Sequence, residues 1–316
     1  MSAALAVATP PLPPTQSGAA ALLAPDHRGP AVALVPPLPV EPDHRPEPRA
    51  CGPDQHSWYP LSPCGADCLP GDHRGVGRVL VAYRITRLLG VAAAVILGGL
   101  MVMPAPRVVR RRYLRRAARA LLSAIGVSVY IDDDRPFPGS ARGLVVANHV
   151  SYLDILAIAM VNPAHFVAKS DVASMPVIAT LANRLGVITV DRGSLRALPD
   201  ILATTVEKLH RDSSVAVFPE GTTWCGRRSG SFRPAFFQAA VDAGVPVLPI
   251  RVRYTGPDGA LTTAPGFIGD DGPADTLRRV LRMRGLTVQV RVHELQLPAA
   301  DRRELSRRCE ALIAQG

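Results

Sequence analysis

The residues best suited to chemistry stand in the stretch Val145-Val146-Ala147-Asn148-His149-Val150-Ser151-Tyr152-Leu153-Asp154. The apolar run that ends at Ala147 reads as a strand, which puts Asn148 and His149 at its C-terminal end, where open α/β sheets place their sites. A helix starting near Ser151 would let the Asp154 carboxylate turn back on the chain. Two uses fit that geometry. Bonded to the imidazole, the carboxylate fixes the tautomer and raises the basicity of the other ring nitrogen, as a general base toward a hydroxyl requires. It could equally serve as a structural partner or helix cap. The spacing alone leaves both open.

Three further segments carry groups of interest. In Val215-Ala216-Val217-Phe218-Pro219-Glu220-Gly221-Thr222 a strand runs into a turn. Gly221 there allows close backbone approach, successive N–H groups suit an anion, and Glu220 suits a hydroxyl. Arg192 follows the run Val187–Val190 directly, and a guanidinium binds phosphate in bidentate fashion. The run Val245–Arg253, with Pro249 inside it, reads first as a core strand entered through a proline turn. Trp224 and Cys225, just after Thr222, read as pocket wall, since nothing near them marks a Cys–His pair. Other chemistries lack their signatures. There is no Gly-x-Ser-x-Gly, no P-loop and no His-Glu-x-x-His, and Gly75-Val76-Gly77 lacks the third glycine of a dinucleotide fingerprint.

Elements able to position these residues follow from the alternation of short apolar runs and helical stretches. Strands are expected at Gly143–Ala147, His165–Ala168, Val187–Val190, Val215–Phe218, Val245–Arg253 and Thr287–Val292. Helices are expected at Tyr152–Val161, Pro176–Leu185, Leu195–His210, Ala235–Ala243 and Ala300–Ala314. The alternation implies an α/β fold, a mixed, largely parallel sheet flanked by helices, over residues 126–316.

Ahead of that domain, residues 76–125 have another character. Leu88–Met103 is a run of sixteen uncharged residues closed by Pro104 and Pro106. About 20 apolar residues span a bilayer, so the run suits a short tilted span or a helix entering one leaflet. Seven arginines lie between Arg107 and Arg119, with Val108, Tyr113, Ala117 and Leu121 able to share the opposite face. An apolar helix followed by an Arg-rich amphipathic helix suits an anionic membrane surface, with the catalytic domain on the cytoplasmic side. Residues 1–75 form a third part. Residues 1–50 hold twelve prolines and no basic residue before Arg28, which predicts disorder rather than a secretory signal.

The formal net charge of +10 points to anionic partners, while aromatics at 5% disfavour a base-stacking nucleic-acid binder. Five cysteines, odd in number and scattered, argue against a disulfide framework. Cys64 and Cys68, with Cys51, His56 and His73 nearby, lack a second matching pair and read as loop thiols rather than a metal site.

Taken in order, Asn148-His149 to Asp154, Gly186 to Arg192, Phe218 to Thr222 and Val245 to Ile250 resemble the four motif blocks of the glycerolipid acyltransferases, in the 1-acyl-glycerol-3-phosphate (lysophospholipid) branch. The resemblance covers about residues 140–255. It implies an O-acyltransferase without cofactor, in which His149, oriented by Asp154, deprotonates a lysophospholipid hydroxyl, that of 1-acyl-sn-glycerol 3-phosphate first and of another lyso-lipid such as lyso-ornithine lipid as the alternative. That hydroxyl attacks the thioester of acyl-CoA or acyl carrier protein in one step. A non-catalytic membrane lipid-binding protein on the same fold is the other alternative. By the same resemblance Arg192, Glu220, Gly221 and Thr222 bind the acceptor's head group, Asn148 and Lys169 are substrate contacts, and Pro249 lies near the acyl donor. Thr189 stands where the family usually has a bulky residue, and Arg233-Pro234 follows Phe232 where a basic-Gly pair is common.

Overall fold

The structure is a computed structural model and describes residues 62–70, 75–136, 141–169, 187–190, 195–211, 213–269, 271–298 and 300–315. The helices are α1 (Arg78–Val102), α2 (Arg107–Ala124), α3 (Leu153–Val161), α4 (Leu198–His210), α5 (Ala235–Asp242), α6 (Pro273–Arg282) and α7 (Arg302–Gln315). The strands are β1 (Val127–Asp133), β2 (Gly143–Ala147), β3 (His165–Lys169), β4 (Ile188–Val190), β5 (Ser214–Val217), β6 (Val247–Thr255) and β7 (Leu286–Val292).

The strands form one sheet in the order β1-β7-β6-β2-β5-β3-β4. Neighbours run parallel except β6 and β7, which are antiparallel. The mixed, mainly parallel sheet expected from the alternation of elements is what forms. β2 lies at its centre and is buried throughout, so both of its faces are apolar, as parallel strands covered on two sides require. Val145 and Ala147 point into one core layer with Leu122, Leu153, Ile158 and Leu281, carried by α2, α3 and α6. Leu144 and Val146 point into the other with Leu209, Phe237, Leu305 and Cys309, carried by α4, α5 and α7. The entry to β2 depends on Gly143, whose φ of +127° and close approach to the Pro246 carbonyl leave no room for a Cβ.

Two elements go beyond the sequence reading. β1 pairs in parallel with β7 at the sheet edge, Val127 opposite Leu286 through Asp133 opposite Val292. α6 starts at Gly272, whose N–H donates to Asp275 Oδ2 at 2.9 Å, with Pro273 in its first turn. The helix expected at Pro176–Leu185 lies outside the described residues, as do Arg192, Cys51, His56 and His73. Residues 62–70, grouped by composition with the N-terminal segment, pack on the domain instead. Cys64 is buried against Cys225 and Ile268.

α1 and α2 form a hairpin. The 25 residues of α1 extend for about 37 Å, at about 1.5 Å per residue. Its first half is tied to the domain, with Arg84 Nη1 donating to Leu281 O and Met283 O at 2.7 Å and Arg87 Nη1 to Ser123 O at 3.0 Å. Its second half packs on α2, where the Tyr113 hydroxyl donates to Val95 O and a Cβ on Gly98 would lie 2.8 Å from Tyr113 Oη. Leu89, Leu97 and Met101 remain well exposed. α1 is long and apolar enough to cross a membrane, and none of its apolar window is buried. The buried stripe of α2 differs from the one expected. It comprises Ala117, Ala118, Leu122 and Ala124, whereas Val108 faces out. Part of the arginine cluster serves the domain itself, since Arg115 Nη2 donates to Val161 O at 2.8 Å and Arg107 Nη1 to Arg211 O at 3.1 Å.

Candidate active site

β2 and β5 are adjacent and parallel, with Val146 opposite Val217. Each strand ends within one residue of that pair, so the loops that follow leave the sheet side by side. His149 and Glu220, each three residues past the paired valines, therefore meet. The His149 N–H donates to Glu220 Oε2 at 2.7 Å. Glu220 Oε1 accepts from the Gly230 N–H at 3.1 Å. The carboxyl is thus buried between two loops and bonded on both oxygens. Burial pushes it from its ordinary 4.5 up to about 8, against the two backbone N–H bonds that lower it. Gly221, at φ +77°, turns the chain and donates its N–H to Phe218 O at 3.0 Å, and Thr222 follows half-buried.

His149 Nδ1 lies 2.9 Å from Asp154 Oδ2. The same oxygen accepts the N–H groups of Val150 at 2.7 Å and Ser151 at 2.8 Å. One carboxylate thus holds the imidazole and closes the turn into α3. Its other oxygen, Oδ1, accepts the Tyr254 hydroxyl at 2.7 Å. Asp154 and Tyr254 are fully buried, and burial first, then the adjacent Asp154 charge, raises the Tyr254 hydroxyl well above its ordinary value. The imidazole lies flat on the Phe218 ring, centroids 3.8 Å apart at 10°. With Nδ1 engaged and one ring face covered, Nε2 is the nitrogen left for chemistry; the His149 side chain keeps 17% of its surface exposed.

Asn148 clips the end of β2 to its other neighbour. Its Nδ2 donates to Val252 O at 2.9 Å and its Oδ1 accepts Val252 N–H at 2.8 Å, so the side chain extends the ladder past Ala147 opposite Ile250. Pro249 is buried in β6 opposite Val146, and its carbonyl accepts His293 N–H at 3.0 Å. Its missing donor is tolerated because regular pairing with β7 begins only at Ile250. Lys169 closes β3, opposite Val190 of β4. Two loops lie along the site: in the loop after Thr222 the Trp224 N–H donates to His149 O at 2.8 Å, and in the loop between β6 and α6 the Phe267 N–H donates to Val150 O at 2.9 Å.

The structure therefore brings His149, Asp154, Glu220, Gly221, Thr222 and Asn148 together at the C-terminal ends of the central strands β2 and β5. It adds two residues the motifs did not single out. Phe218 was in view as the first residue of its block, but only the strand register makes it a platform for the imidazole. Tyr254 stands 100 residues from Asp154 and carries no local signal.

A His–Asp pair thus stands at the C-terminal end of a central parallel strand, backed by a second loop carrying Pro-Glu-Gly-Thr. The acyltransferase family model matches residues 128–253. The 1-acyl-sn-glycerol-3-phosphate acyltransferase of Neisseria meningitidis serogroup B is 36% identical over 182 residues, 57% of this chain and 70% of that protein. The lyso-ornithine lipid O-acyltransferase of Pseudomonas aeruginosa is 31% identical over 252 residues, 75% of this chain and 93% of that protein. In fold, the chain is similar to the crystal structure of the 1-acyl-sn-glycerophosphate acyltransferase PlsC from Thermotoga maritima, with a TM-score of 0.55 over 75% of this chain and 93% of that one, at 22% identity. The chain belongs to the acyltransferase family, as the four motif blocks implied.

Proposed function

We propose that this acyltransferase moves a fatty acyl group from a thioester, acyl-CoA or acyl carrier protein, onto the free hydroxyl of 1-acyl-sn-glycerol 3-phosphate, giving phosphatidic acid. The observation that carries the mechanism is the 2.9 Å contact from His149 Nδ1 to a buried Asp154 carboxylate that is itself fixed by three further donors. An imidazole so held presents Nε2 as base. The hydroxyl proton passes to Nε2 as the oxygen bonds to the thioester carbonyl carbon. The carbon–sulfur bond then breaks, and the thiolate leaves as a thiol by taking that proton back. Ester and free thiol are the products, and no acyl group is carried by the enzyme. The Asp154 charge stabilises the imidazolium that forms in between.

Head-group binding falls to Thr222 and to Arg192 and Lys169, cations suited to a phosphate, while Gly221 shapes the turn, its own N–H being bonded to Phe218 O. Pro249 belongs to the donor side. Asn148 and Glu220 act by holding the His149 loop, since their polar side-chain atoms are already bonded to backbone. The exposed apolar side of α1 and the arginines of α2 suit insertion into an anionic, cytoplasm-facing leaflet, which brings the site to a lipid acceptor.

A second reading keeps the chemistry and changes the acceptor to lyso-ornithine lipid. It is favoured by one observation, the longer run of similarity to the Pseudomonas enzyme. Detergent-solubilised protein given radiolabelled acyl-CoA and either acceptor separates the two. Product from 1-acyl-sn-glycerol 3-phosphate alone is expected; product from lyso-ornithine lipid alone would replace the first reading with the second.

A further inference from the structure

Cys64, Cys68 and Cys225 come from two loops 161 residues apart in sequence, yet their sulfurs all lie within 4.8 Å of one another. Cys64 and Cys225 are almost fully buried, and Cys68 is half-buried. Four tetrahedral sulfurs at a Zn–S distance of about 2.3 Å stand about 3.8 Å apart, so the three thiols need only draw in slightly to share an ion.

The surrounding backbone suits thiolates. The Cys225 N–H donates to Cys64 Sγ at 3.4 Å. Cys64 and Cys225 are each followed by glycine, and Gly226, at φ +88°, reverses the chain just after Cys225. The loop of residues 62–70 has a 3-10 turn over Ala66–Cys68 that returns Cys68 beside Cys64. Three thiolates around a divalent ion carry one excess negative charge, and the exposed Arg227 and Arg228 lie next to it in sequence. The alternative of simple apolar packing makes little use of that N–H donor, since a thiol is a weak acceptor.

We propose that Cys64, Cys68 and Cys225 bind a soft divalent metal ion, zinc, which fastens the segment before α1 to the loop after β5. Thiolate sulfur selects zinc over the hard cations. Each thiol gives up its proton on binding, and the fourth tetrahedral position is open to water. The ion is structural in effect and adjoins the active site. Its Cys225 anchor follows Trp224, whose N–H bonds His149 O at 2.8 Å, while Cys68 O accepts the Thr263 hydroxyl at 2.6 Å.

The test uses the full chain, purified in detergent under reducing conditions without chelator. Zinc is counted by elemental analysis, and cobalt is exchanged in to read thiolate-to-metal charge transfer. About one zinc per chain is expected in the wild type and in Cys309→Ser, with a cobalt–thiolate band. Cys68→Ser, the half-buried position least costly to folding, and Cys225→Ser are expected to lose at least about tenfold in occupancy. A metal-free wild type with all its thiols titrating would overturn the proposal. So would a metal-free wild type lighter by two hydrogens, which would assign a disulfide instead. Zinc that is retained equally by the two Ser variants would also overturn it.

Discussion

Tyr254→Phe isolates one contact of the His149–Asp154 pair. Tyr254 is fully buried and its hydroxyl donates at 2.7 Å to Asp154 Oδ1. Phenylalanine keeps the ring and its packing, so the change removes the hydroxyl alone. A hydrogen bond to a buried charge contributes about 1.5–3 kcal/mol. Asp154 Oδ2 keeps His149 Nδ1, Val150 N–H and Ser151 N–H, which puts the loss near the low end, about 1.5–2 kcal/mol. In a chain of this size that lowers the melting temperature by about 3–8 °C. The imidazole stays in place, because none of its own contacts changes. Only the balance of charge between carboxylate and imidazolium shifts, so kcat should fall by no more than about tenfold, with KM for both substrates unchanged. Thermal melting and steady-state acyl transfer on the same preparation read both quantities. A fall in kcat of about a hundredfold with an unchanged melting temperature would refute this reasoning, since it would mean that the hydroxyl acts on substrate rather than through Asp154.

Two further predictions concern stability. Glu220→Gln places an amide nitrogen against a backbone N–H, so it is expected to melt below the wild type near pH 6; the wild-type carboxyl, raised from 4.5 to about 8, contributes stability that is full below the lower value and lost as pH rises through the higher, so the gap should narrow by about pH 9. A gap that stays constant or widens between these pH values would contradict the assignment. Gly143→Ala forces φ +127° on a residue with a Cβ, which would stand 2.1 Å from Pro246 O, and is expected to cost at least about 2 kcal/mol, read as a drop of about 4–8 °C in melting temperature.

Local features made the site legible in the sequence and long-range pairing hid its remainder. His149, Asp154 and the Glu220 turn are each announced by an apolar run that ends in polar residues, and the run lengths fix which strand ends they occupy. The contact between His149 and Glu220 depends on β2 and β5 being neighbours, which only the register determines. Tyr254 is hidden for the same reason, since it reaches Asp154 from β6, beyond the end of β2. β1 shows the alternation of an edge strand, but only one of its two faces is buried, so its apolar signal is half that of β2. α6 buries only Thr276, Val280 and Leu281 and reads as a charged loop unless its Gly272-Pro273-Ala274-Asp275 start is noticed. Cys64 and Cys68 read as an isolated pair because the third thiol stands 161 residues further along the chain than Cys64.

The central claim, that His149 is the base, is tested most directly by acyl transfer from acyl-CoA with wild type and His149→Ala side by side. Both should melt at similar temperatures, since the imidazole is partly exposed and Asp154 keeps three of its partners. A fall in kcat of about 10²–10⁴-fold in His149→Ala is predicted. Turnover near the wild-type rate in a folded variant would contradict the account.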